Sequence, residues 1–446
     1  MTRLVPTERR LIFKYENALL ILLGLSFGFA FFDRNSASVL IPYMAKDLSL
    51  TNTQSALINS VLSVMWALGA YVIARWSDAM GSRKPFLLAF LVIFSACSFL
   101  SGLAPSFPVL LISRAIMGAV EGPFLPVCLA IMAVESSPHR RGVNAGIMQN
   151  FFAALLGQSL APWLLPIIAE EYGWRAAFFV SGVPGLLCAI GIWLWVREPT
   201  KEAQAARHAV VAMDTTDNGR KMGLFDMLAV RNVFVCCLIS VFMVGWFVMG
   251  WTFLPKFLTS VRGMPGPAMG SLLSVLGFAS ALSGFGAPWL SDRIGRKPVM
   301  IGFCLVGALT ALGAMYFQGS TVTLGALLFV GWLATGTFPL FMGVIPGESI
   351  PRKYAATAMG LVVCVGEVLG GSGLVALAGK IADLTQLSTA VLMMAGSGAL
   401  GCVLCFFLVE TAPVKARARA AYIPVNTRAR RDPLSPSISR HTAPDQ

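Results

Sequence analysis

The chain has 446 residues, of which 56% are hydrophobic and only 12% are charged. Soluble globular domains carry about 25% charged residues, so this composition excludes an ordinary soluble protein and indicates burial in lipid. The net charge of +13 would suit an anionic partner, but the basic residues lie in short loops and tails between apolar runs. That placement favours a role in membrane orientation over nucleic-acid binding.

Twelve runs are apolar over the roughly 20 residues that a membrane-spanning helix needs. The first six lie at about 18–43, 54–75, 85–104, 107–134, 143–168 and 174–196. The second six lie at about 232–258, 267–290, 298–318, 320–346, 355–382 and 386–409. We therefore predict an all-α membrane protein with an N-terminal tail (1–17), a six-helix bundle (18–196), a linker (197–231), a second six-helix bundle (232–409) and a basic tail (410–446). The last segment has too little apolar content to fold alone.

Lysine and arginine are distributed unevenly between the predicted loops. With the N-terminus placed in the cytoplasm, 27 of the 34 fall on the cytoplasmic side and five outside, while Arg34 and Arg114 lie within spans. Cytoplasmic loops are enriched in these residues, so the count predicts an even number of spans with both termini in the cytoplasm. We expect a monomer in a bacterial inner membrane.

The two halves of the chain repeat a loop motif. A segment with the pattern Asp, Gly, Arg, Lys follows span 2 and recurs after span 8, with the residues Asp78, Gly81, Arg83 and Lys84 in the first copy and Asp292, Gly295, Arg296 and Lys297 in the second. The aspartates are 214 residues apart, and Glu135 and Pro126 recur 213 residues later as Glu348 and Pro339. Because six spans separate the copies, both halves have the same orientation.

The composition of the loop motif suggests a physical role. Glycine permits a tight turn at the membrane face. Aspartate accepts hydrogen bonds from a helix N-terminus or pairs with a nearby arginine. We therefore predict that the motif latches the cytoplasmic gate in one state and releases it in the other, with a simple basic loop as the alternative.

With this loop repeated in a chain of six plus six spans, the sequence resembles the major facilitator superfamily over everything but the tails and linker. The first copy departs from the family pattern, because Ala79 replaces the usual basic residue and Ser82 separates Gly81 from Arg83. The resemblance implies two six-helix bundles that are related by a pseudo-two-fold axis and rock around a site at the membrane midplane.

Few ionisable residues lie deep in the predicted spans. They are Asp33 and Arg34 in span 1, Arg114 and Glu121 in span 4, and Glu367 in span 11. Such residues are costly in lipid and are functional candidates. At 1.5 Å per residue, Asp33 and Arg114 lie at similar depth and Glu121 about 10.5 Å deeper, near the midplane. We therefore expect Asp33 to pair with Arg114 across the helices.

This set of charges indicates proton-coupled anion transport. Burial raises the pKa of a carboxyl group and a nearby arginine lowers it, so such groups can gain and lose protons. An arginine stays charged and can bind a substrate carboxylate through two hydrogen bonds. The alternatives are a structural salt bridge at Asp33 or Arg34 and a bundle-stabilising network of Arg114 with Glu121. For Glu367 we favour structural packing, because its helix usually packs behind the cavity in this fold.

Span 1 contains Asp followed by Arg, and span 4 contains Arg and Glu seven residues apart. This combination resembles the anion:cation symporter family. The resemblance implies that Asp33 and Glu121 are proton-coupling residues, that Arg34 binds the substrate carboxylate and that Arg114 is its partner. Span 7 lacks the arginine of some dicarboxylate carriers. We expect an aromatic, neutral second wall that suits a monocarboxylate, with Gln149 of span 5 and Trp246 and Trp251 of span 7 as further substrate contacts.

The sequence thus predicts proton-coupled uptake of a small organic anion such as a sugar acid or an aromatic acid, with protons as the coupling ion and no cofactor. The alternative is a proton-driven exporter of drugs or metabolites, whose span-5 motif survives only in part in Gly157–Pro162. A channel or a sensor is not expected, because nothing in the sequence resembles a selectivity filter or an attached signalling domain. An enzyme is not expected, since the sequence offers no metal-ligand cluster and no nucleophile–base set.

Overall fold

The computed structural model describes residues 6–80, 83–137, 140–197 and 222–412, which form helices joined by short loops. Six long helices of the N-terminal half are α1 (Pro6–Asp47), α2 (Asn52–Met80), α3 (Lys84–Gly102), α4 (Phe107–Met132), α5 (Val143–Tyr172) and α6 (Trp174–Trp195). Those of the C-terminal half are α7 (Arg231–Ser260), α8 (Gly266–Ile294), α9 (Arg296–Tyr316), α10 (Thr321–Ser349), α11 (Tyr354–Leu384) and α12 (Leu387–Cys405). A short helix, Leu224–Leu228, precedes α7.

Eleven of these helices are long and apolar enough to cross a membrane. The exception in the described ranges is α2, whose first half is rich in polar residues. These residues face the C-terminal half: Asn59 Nδ2 donates to Thr252 Oγ1 at 2.9 Å, and Ser60 Oγ donates to the Ser372 carbonyl at 3.1 Å. The side chains at 71 and 73–80 lie outside the described residues, so the comparison covers α2 only in part, and twelve spans would require it to be one of them.

The helix contacts of the first half recur in the second. In the N-terminal half α1 packs against α5 and α6, α2 against α4, and α3 against α4 and α6; six helices later, α7 packs against α11 and α12, α8 against α10, and α9 against α10 and α12. The halves meet through α1 with α7, α2 with α11, and α5 with α8. If the two halves are exchanged, the contact of α2 with α11 becomes that of α8 with α5, and the contact of α1 with α7 is unchanged. The arrangement therefore has approximate two-fold symmetry.

The two halves touch on one face of the molecule and diverge toward the other. Gly270 and Gly277 of α8, two turns apart, lie against α5 at the Pro162 carbonyl and at Ser159. Two turns further on, a methyl group at Gly284 would still be 4.0 Å from the nearest side chain of α5. We call the touching side, with the loops after α1, α5, α7 and α11, the bonded face, and the other the opposite face.

The bonded face carries a helix cap that crosses the halves. The carboxylate of Asp383 in α11 accepts hydrogen bonds from the main-chain amides of Asn52 and Thr53, the first residues of α2, at 2.7 and 2.8 Å. The Thr53 hydroxyl donates to it at 2.5 Å, and Lys256 Nζ of α7 donates to Asn52 Oδ1 at 2.8 Å. An acidic group at a helix N-terminus satisfies free amides and complements the helix dipole. This cross-half cap therefore holds α2 to α11.

Several predicted boundaries are revised. α1 starts at Pro6, within the predicted tail. Span 4 is two helical segments, Phe107–Glu121 and Phe124–Glu135, because Pro123 between them has no amide hydrogen to donate. Glu410, assigned to the tail, accepts a hydrogen bond from the Arg296 amide at 2.8 Å and is part of the fold. Residues 413–446 and residues 198–221 of the linker lie outside the described ranges.

Candidate transport site

Asp33 of α1 is completely buried inside the N-terminal half. Its Oδ1 atom accepts hydrogen bonds from Ser98 of α3 at 2.6 Å and from Ser181 of α6 at 3.0 Å. Its Oδ2 atom has no hydrogen-bond partner among the residues that the structure describes. One carboxylate oxygen is thus fixed, while the other is free to hold a proton.

Arg114 of α4 is also completely buried, and its guanidinium is held in place. Nη2 donates to Ser101 Oγ at 2.8 Å, Nη1 donates to the main-chain carbonyl of Asp33 at 3.4 Å, and the ring of Phe178 lies 5.1 Å from Cζ. The predicted ion pair with the Asp33 carboxylate is wrong at the level of direct contact, because serine hydroxyls take the places around that carboxylate. The two charges still interact through space.

Glu121, seven residues further along α4, is only 5% exposed. Its Oε1 atom is buried without a hydrogen-bond partner in the described structure. The charges of Arg34, Asp33 and Arg114 all act on its carboxylate. The structure therefore brings the four predicted charged residues of spans 1 and 4 into one electrostatic network.

Arg34 differs from Arg114 in having an unoccupied guanidinium. It is half-buried, and within the described residues it forms no hydrogen bond and no ion pair. Its Cζ atom lies 5.5 Å from the ring of Phe31 and 5.8 Å from the ring of Trp66, so aromatic faces support the side chain. All five donors of this guanidinium remain available to an anion.

An aromatic wall in the C-terminal half contains both predicted tryptophans. Trp251 of α7 is 3% exposed, packs edge-on against Trp332 with ring centroids 5.7 Å apart, and leaves its indole N–H without a partner among the described residues. Trp246 is completely buried, and its N–H donates to the Gly307 carbonyl at 3.0 Å. Trp251 thus offers a free donor, whereas Trp246 supports the wall from behind.

A polar group next to this wall links α5 to α8 and α10. Ser280 of α8 donates to Gln158 Oε1 of α5 at 2.6 Å and accepts a hydrogen bond from the Trp332 N–H at 3.1 Å. The sequence did not single out Ser280, because it is one of many serines within the spans. The predicted contact Gln149 is exposed on the part of α5 that lies toward the opposite face.

The second copy of the loop motif forms a network inside its own half. Gly295 has φ +110°, a conformation that favours glycine, and turns the chain directly from α8 into α9. Arg296 pairs with Asp292 at 2.5 Å and with Glu348 at 2.9 Å. Lys297 Nζ donates to the Phe406 carbonyl at 2.5 Å. Asp292 therefore makes an ion pair within the C-terminal half in this conformation.

The first copy of the motif is described in part. Gly81 and the side chain of Asp78 lie outside the described residues. Arg83 is buried, and Lys84 Nζ donates to the Trp193 carbonyl of α6 at 2.8 Å. The described lysine thus ties the start of α3 to the end of α6.

The four charged residues of spans 1 and 4 have no charged counterparts at the equivalent positions of the internal repeat. The residues that follow Asp33, Arg34, Arg114 and Glu121 by 213 positions are Trp246, Phe247, Leu327 and Ala334. A charged wall in the N-terminal half is therefore matched by an apolar, largely aromatic wall in the other.

An apolar helical exterior around an enclosed cluster of charges is the architecture of an integral, multi-pass membrane transporter. The chain belongs to the major facilitator superfamily, as the sequence predicts, and the family model matches residues 23–374.

Similar proteins are transporters as well. A probable 4-methylmuconolactone transporter of Cupriavidus pinatubonensis is 27% identical over 356 residues, which are 77% of this chain and 79% of that protein. A hexuronate transporter of Bacillus subtilis is 25% identical over 386 residues, covering 82% and 88%. The solved structure of a bacterial homologue of the human lysosomal transporter Spinster, inward-facing and occupied, matches with a TM-score of 0.71 and 18% identity, covering 88% of this chain and 96% of that one. At this identity the structural match shows the fold alone.

Proposed function

We propose that the protein is a secondary transporter that takes up a small organic monocarboxylate together with protons. The observation that carries this proposal is Arg34, a half-buried arginine without a hydrogen bond or ion pair in the described structure. A buried cation left without a partner is unfavourable, and a carboxylate that binds its planar fork relieves that cost. Arg34 is therefore the substrate-carboxylate ligand.

The second wall suits the rest of such a substrate. Trp251 presents an aromatic edge and a free indole N–H, which can donate to a hydroxyl or ring oxygen of the substrate. Because both arginines of the site, Arg34 and Arg114, belong to the N-terminal half, one carboxylate is bound there and a second would meet no arginine on the aromatic side. The names of the relatives, a hexuronate transporter and a 4-methylmuconolactone transporter, support an organic acid as substrate.

Asp33 and Glu121 carry the coupling protons in this proposal. Each has a buried carboxylate oxygen without a partner in the described structure, and each feels the field of Arg114. Buried carboxylates near an arginine change protonation state when the local charge changes. Arrival of an anion at Arg34 removes positive field from Glu121, which favours its protonated form.

The arrangement in the membrane follows from the distribution of basic residues. We infer that α2 is a twelfth span, that both termini are cytoplasmic and that the bonded face is external, in an inner membrane and with a monomer as the working unit. The halves then diverge toward the cytoplasm, so the structure corresponds to an inward-facing state with Gln149 at the mouth. A periplasm-specific reporter that became active when fused to the C-terminus would contradict this orientation.

Proteoliposomes test the proposed function directly. Sugar acids, aromatic acids and small aliphatic carboxylates are added in turn outside, and the external pH is recorded. One class is expected to make the outside alkaline, because protons enter with it. Alkalinisation should disappear in Arg34→Ala, whose affinity should fall about 10- to 100-fold because charge-assisted hydrogen bonds contribute roughly 1.5–3 kcal/mol.

Arg175→Ala is the matched control, since it removes an exposed arginine that pairs with Asp47 on the bonded face. It should transport like the wild type. No pH change with any acid would contradict proton-coupled uptake. Acidification outside on addition of a drug-like substrate to loaded vesicles would instead support the export alternative.

A further inference from the structure

Glu367 lies at the junction of three helices rather than behind the cavity. It belongs to a π-helical segment of α11, Gly366–Leu374, and α11 packs against both α2 and α7. Its carboxylate lies over Gly371, where a methyl group would be 3.1 Å from Glu367 Oε2, 3.3 Å from Val244 of α7 and 3.4 Å from the Ser63 hydroxyl of α2. The carboxylate therefore faces the boundary between the two halves.

The charge that faces Glu367 comes from the other half. Arg34 Cζ lies 5.8 Å from the ring of Trp66 of α2, which is one turn along that helix from Ser63, so its charge acts on Glu367 as well as on Glu121. Glu367 Oε2 is buried without a hydrogen-bond partner among the described residues. Arg34 is thus shared between one carboxylate of its own half and one of the opposite half, and it forms a close pair with neither.

Other charged side chains are remote from this position in the described structure. The neighbouring side chains on α7 and α2, Val244 and Ser63, are uncharged. On α11 itself, the thiol of Cys364 lies one turn away and is exposed, while Lys380 and Asp383 are 13 and 16 residues away, about 20 Å along the helix or more. Burial, the charge of Arg34 and the Ser63 hydroxyl therefore act together on the protonation of Glu367, and Arg34 is the one of these that a bound anion changes.

The charge of the central site limits what can bind there. Two arginines (Arg34 and Arg114) and three carboxylates (Asp33, Glu121 and Glu367) give a net charge of −1 when all are ionised. With a monoanionic substrate bound, the net charge of the site would be −2. The site is largely shielded from water, and uncompensated charge is strongly disfavoured there. Uptake of a proton therefore favours binding of the substrate whenever the carboxylates are ionised.

We propose that Glu367 competes with the substrate for Arg34 and takes up one proton when the substrate binds, in addition to the protons carried by Asp33 and Glu121. This inference rests on the proposed function. In the empty site the Glu367 carboxylate partly neutralises Arg34. When a substrate carboxylate binds the guanidinium, a proton from bulk water binds Glu367 and leaves it as a neutral acid. The site gains one negative charge and one positive charge, so its net charge is unchanged.

The test compares binding across pH in purified wild-type protein and in Glu367→Gln. Glucuronate and benzoate are the probes, and their Kd values are measured between about pH 5 and about pH 8. In the wild type, Kd should rise by up to about tenfold per pH unit once the carboxyl groups ionise. In Glu367→Gln the number of protons taken up on binding should fall by one, so Kd should rise less steeply with pH. At the upper pH, Kd should therefore be at least about tenfold lower than in the wild type.

Two further variants control the comparison. Glu171→Gln makes the same chemical change at an exposed residue of the bonded face and should keep the wild-type slope. Glu367→Asp retains a titrating group and should also keep it. If Glu367→Gln kept the wild-type slope, or if Glu171→Gln also lost it, the proposed role of Glu367 would be wrong, while the proposed function would stand. Binding of neither probe by the wild type would contradict the proposed function, and this inference with it.

Discussion

At the scale of single residues, the two arginines of the site, Arg34 and Arg114, have different surroundings. Arg114 is enclosed and bonded to Ser101 and to the Asp33 carbonyl, so it fixes the geometry and field of the N-terminal half. Arg34 is backed by two aromatic rings and forms no hydrogen bond among the described residues. In the proposed function, these surroundings give two residues of the same type different roles.

Trp251 allows a test of the aromatic wall that separates binding from stability. Trp251→Phe keeps an aromatic ring and removes an indole N–H that has no partner in the described structure. Substrate affinity should fall about two- to tenfold, the effect of one neutral hydrogen bond of roughly 0.5–1.5 kcal/mol. Thermal stability should not fall, because no bond within the protein is lost. Both quantities are measured on the purified protein, by ligand titration and by thermal unfolding.

Trp246→Phe is the counterpart. It removes an N–H that donates to the Gly307 carbonyl, so stability should fall by about 1 kcal/mol while affinity changes little. The reverse pattern, with Trp251→Phe unstable and Trp246→Phe impaired in binding, would show that the two tryptophans have been assigned the wrong roles.

The sequence predicts which charged residues form the site, but it does not predict the contacts that these residues make. Charges within apolar runs identify Asp33, Arg34, Arg114 and Glu121 from composition alone, because lipid makes such residues rare. Their partners are not predictable, since the serines around Asp33 come from helices 65 and 148 residues further along the chain. Depth along the helices places Asp33 level with Arg114, but it does not reveal which hydrogen-bond donors lie closest to the Asp33 carboxylate.

At the scale of helices, α5 and α11 share an irregularity at equivalent positions. π-helical segments occupy Ala153–Leu160 and Gly366–Leu374, and their first residues are 213 positions apart, the offset of the internal repeat. These are also helices through which each half contacts the other. π-helical turns are rare and often mark functional sites, which fits the position of Glu367 within one of them.

The cross-half cap on the bonded face makes a prediction for the conformational equilibrium. Asp383→Ala removes the carboxylate that holds the first two amides of α2. Loss of a helix cap costs about 1 kcal/mol, so the population open on the bonded face should rise about fivefold. The measurement is the labelling rate of Ser60→Cys, a buried position below the cap, by an impermeant maleimide in a Cys364→Ser background.

Asp47→Ala is the control for this experiment. Asp47 bonds Trp174 and Arg175 on the same face but within one half. Its loss should leave the labelling rate unchanged. Equal rates in the two alanine variants would mean that Asp383 stabilises α2 without holding the halves together.

The helices themselves were largely predictable, and their irregularities were not. Apolar runs locate the long helices to within several residues, except that α1 extends further into the N-terminal tail. The polar residues of α2 are visible in the sequence but their contacts are not, since Asn59 bonds Thr252 of the other half. The π-helical segments leave no mark in composition, because they depend on how neighbouring helices pack against the turn.

At the scale of the whole molecule, the packing within the N-terminal half predicts that it moves as a unit. In the N-terminal half, glycines bring the backbones of α2 and α4 into direct contact, with Gly69 against the Ala119 carbonyl, Gly118 against that of Leu62 and Gly122 against that of Trp66. Backbone contact leaves no flexible side chain to absorb relative motion. The boundary between the halves is the place where motion can occur.

Cross-linking distinguishes rigid halves from a molecule that flexes throughout. In a Cys364→Ser background, Asn52→Cys with Lys256→Cys joins the halves across the bonded face, and a short bifunctional maleimide should arrest transport. Asp47→Cys with Arg175→Cys joins α1 to α6 on the same face within one half, and the same reagent should leave most transport intact. Uptake in proteoliposomes before and after the reagent is the measurement.

Arrest by the second pair would show that the N-terminal half bends internally during the cycle. Full transport after complete reaction of the first pair would show that the bonded face stays closed. Either result would contradict rocking of two rigid halves about the charged site.

The paired π-helical segments also constrain how this chain can change in length. A π-helical ring closes one residue later than an α-helical ring. Deleting one residue from 153–160 would let an α-helical ring close in place of the π-helical one, and the stretches of α5 on either side, with Gln149 in one of them, would keep their phase. The same holds for a deletion in 366–374 of α11. Deleting one residue from a regular stretch of either helix would instead turn one end by about 100° relative to the other. Within these two helices, a loss of one residue should therefore be tolerated in the π-helical segments and not outside them.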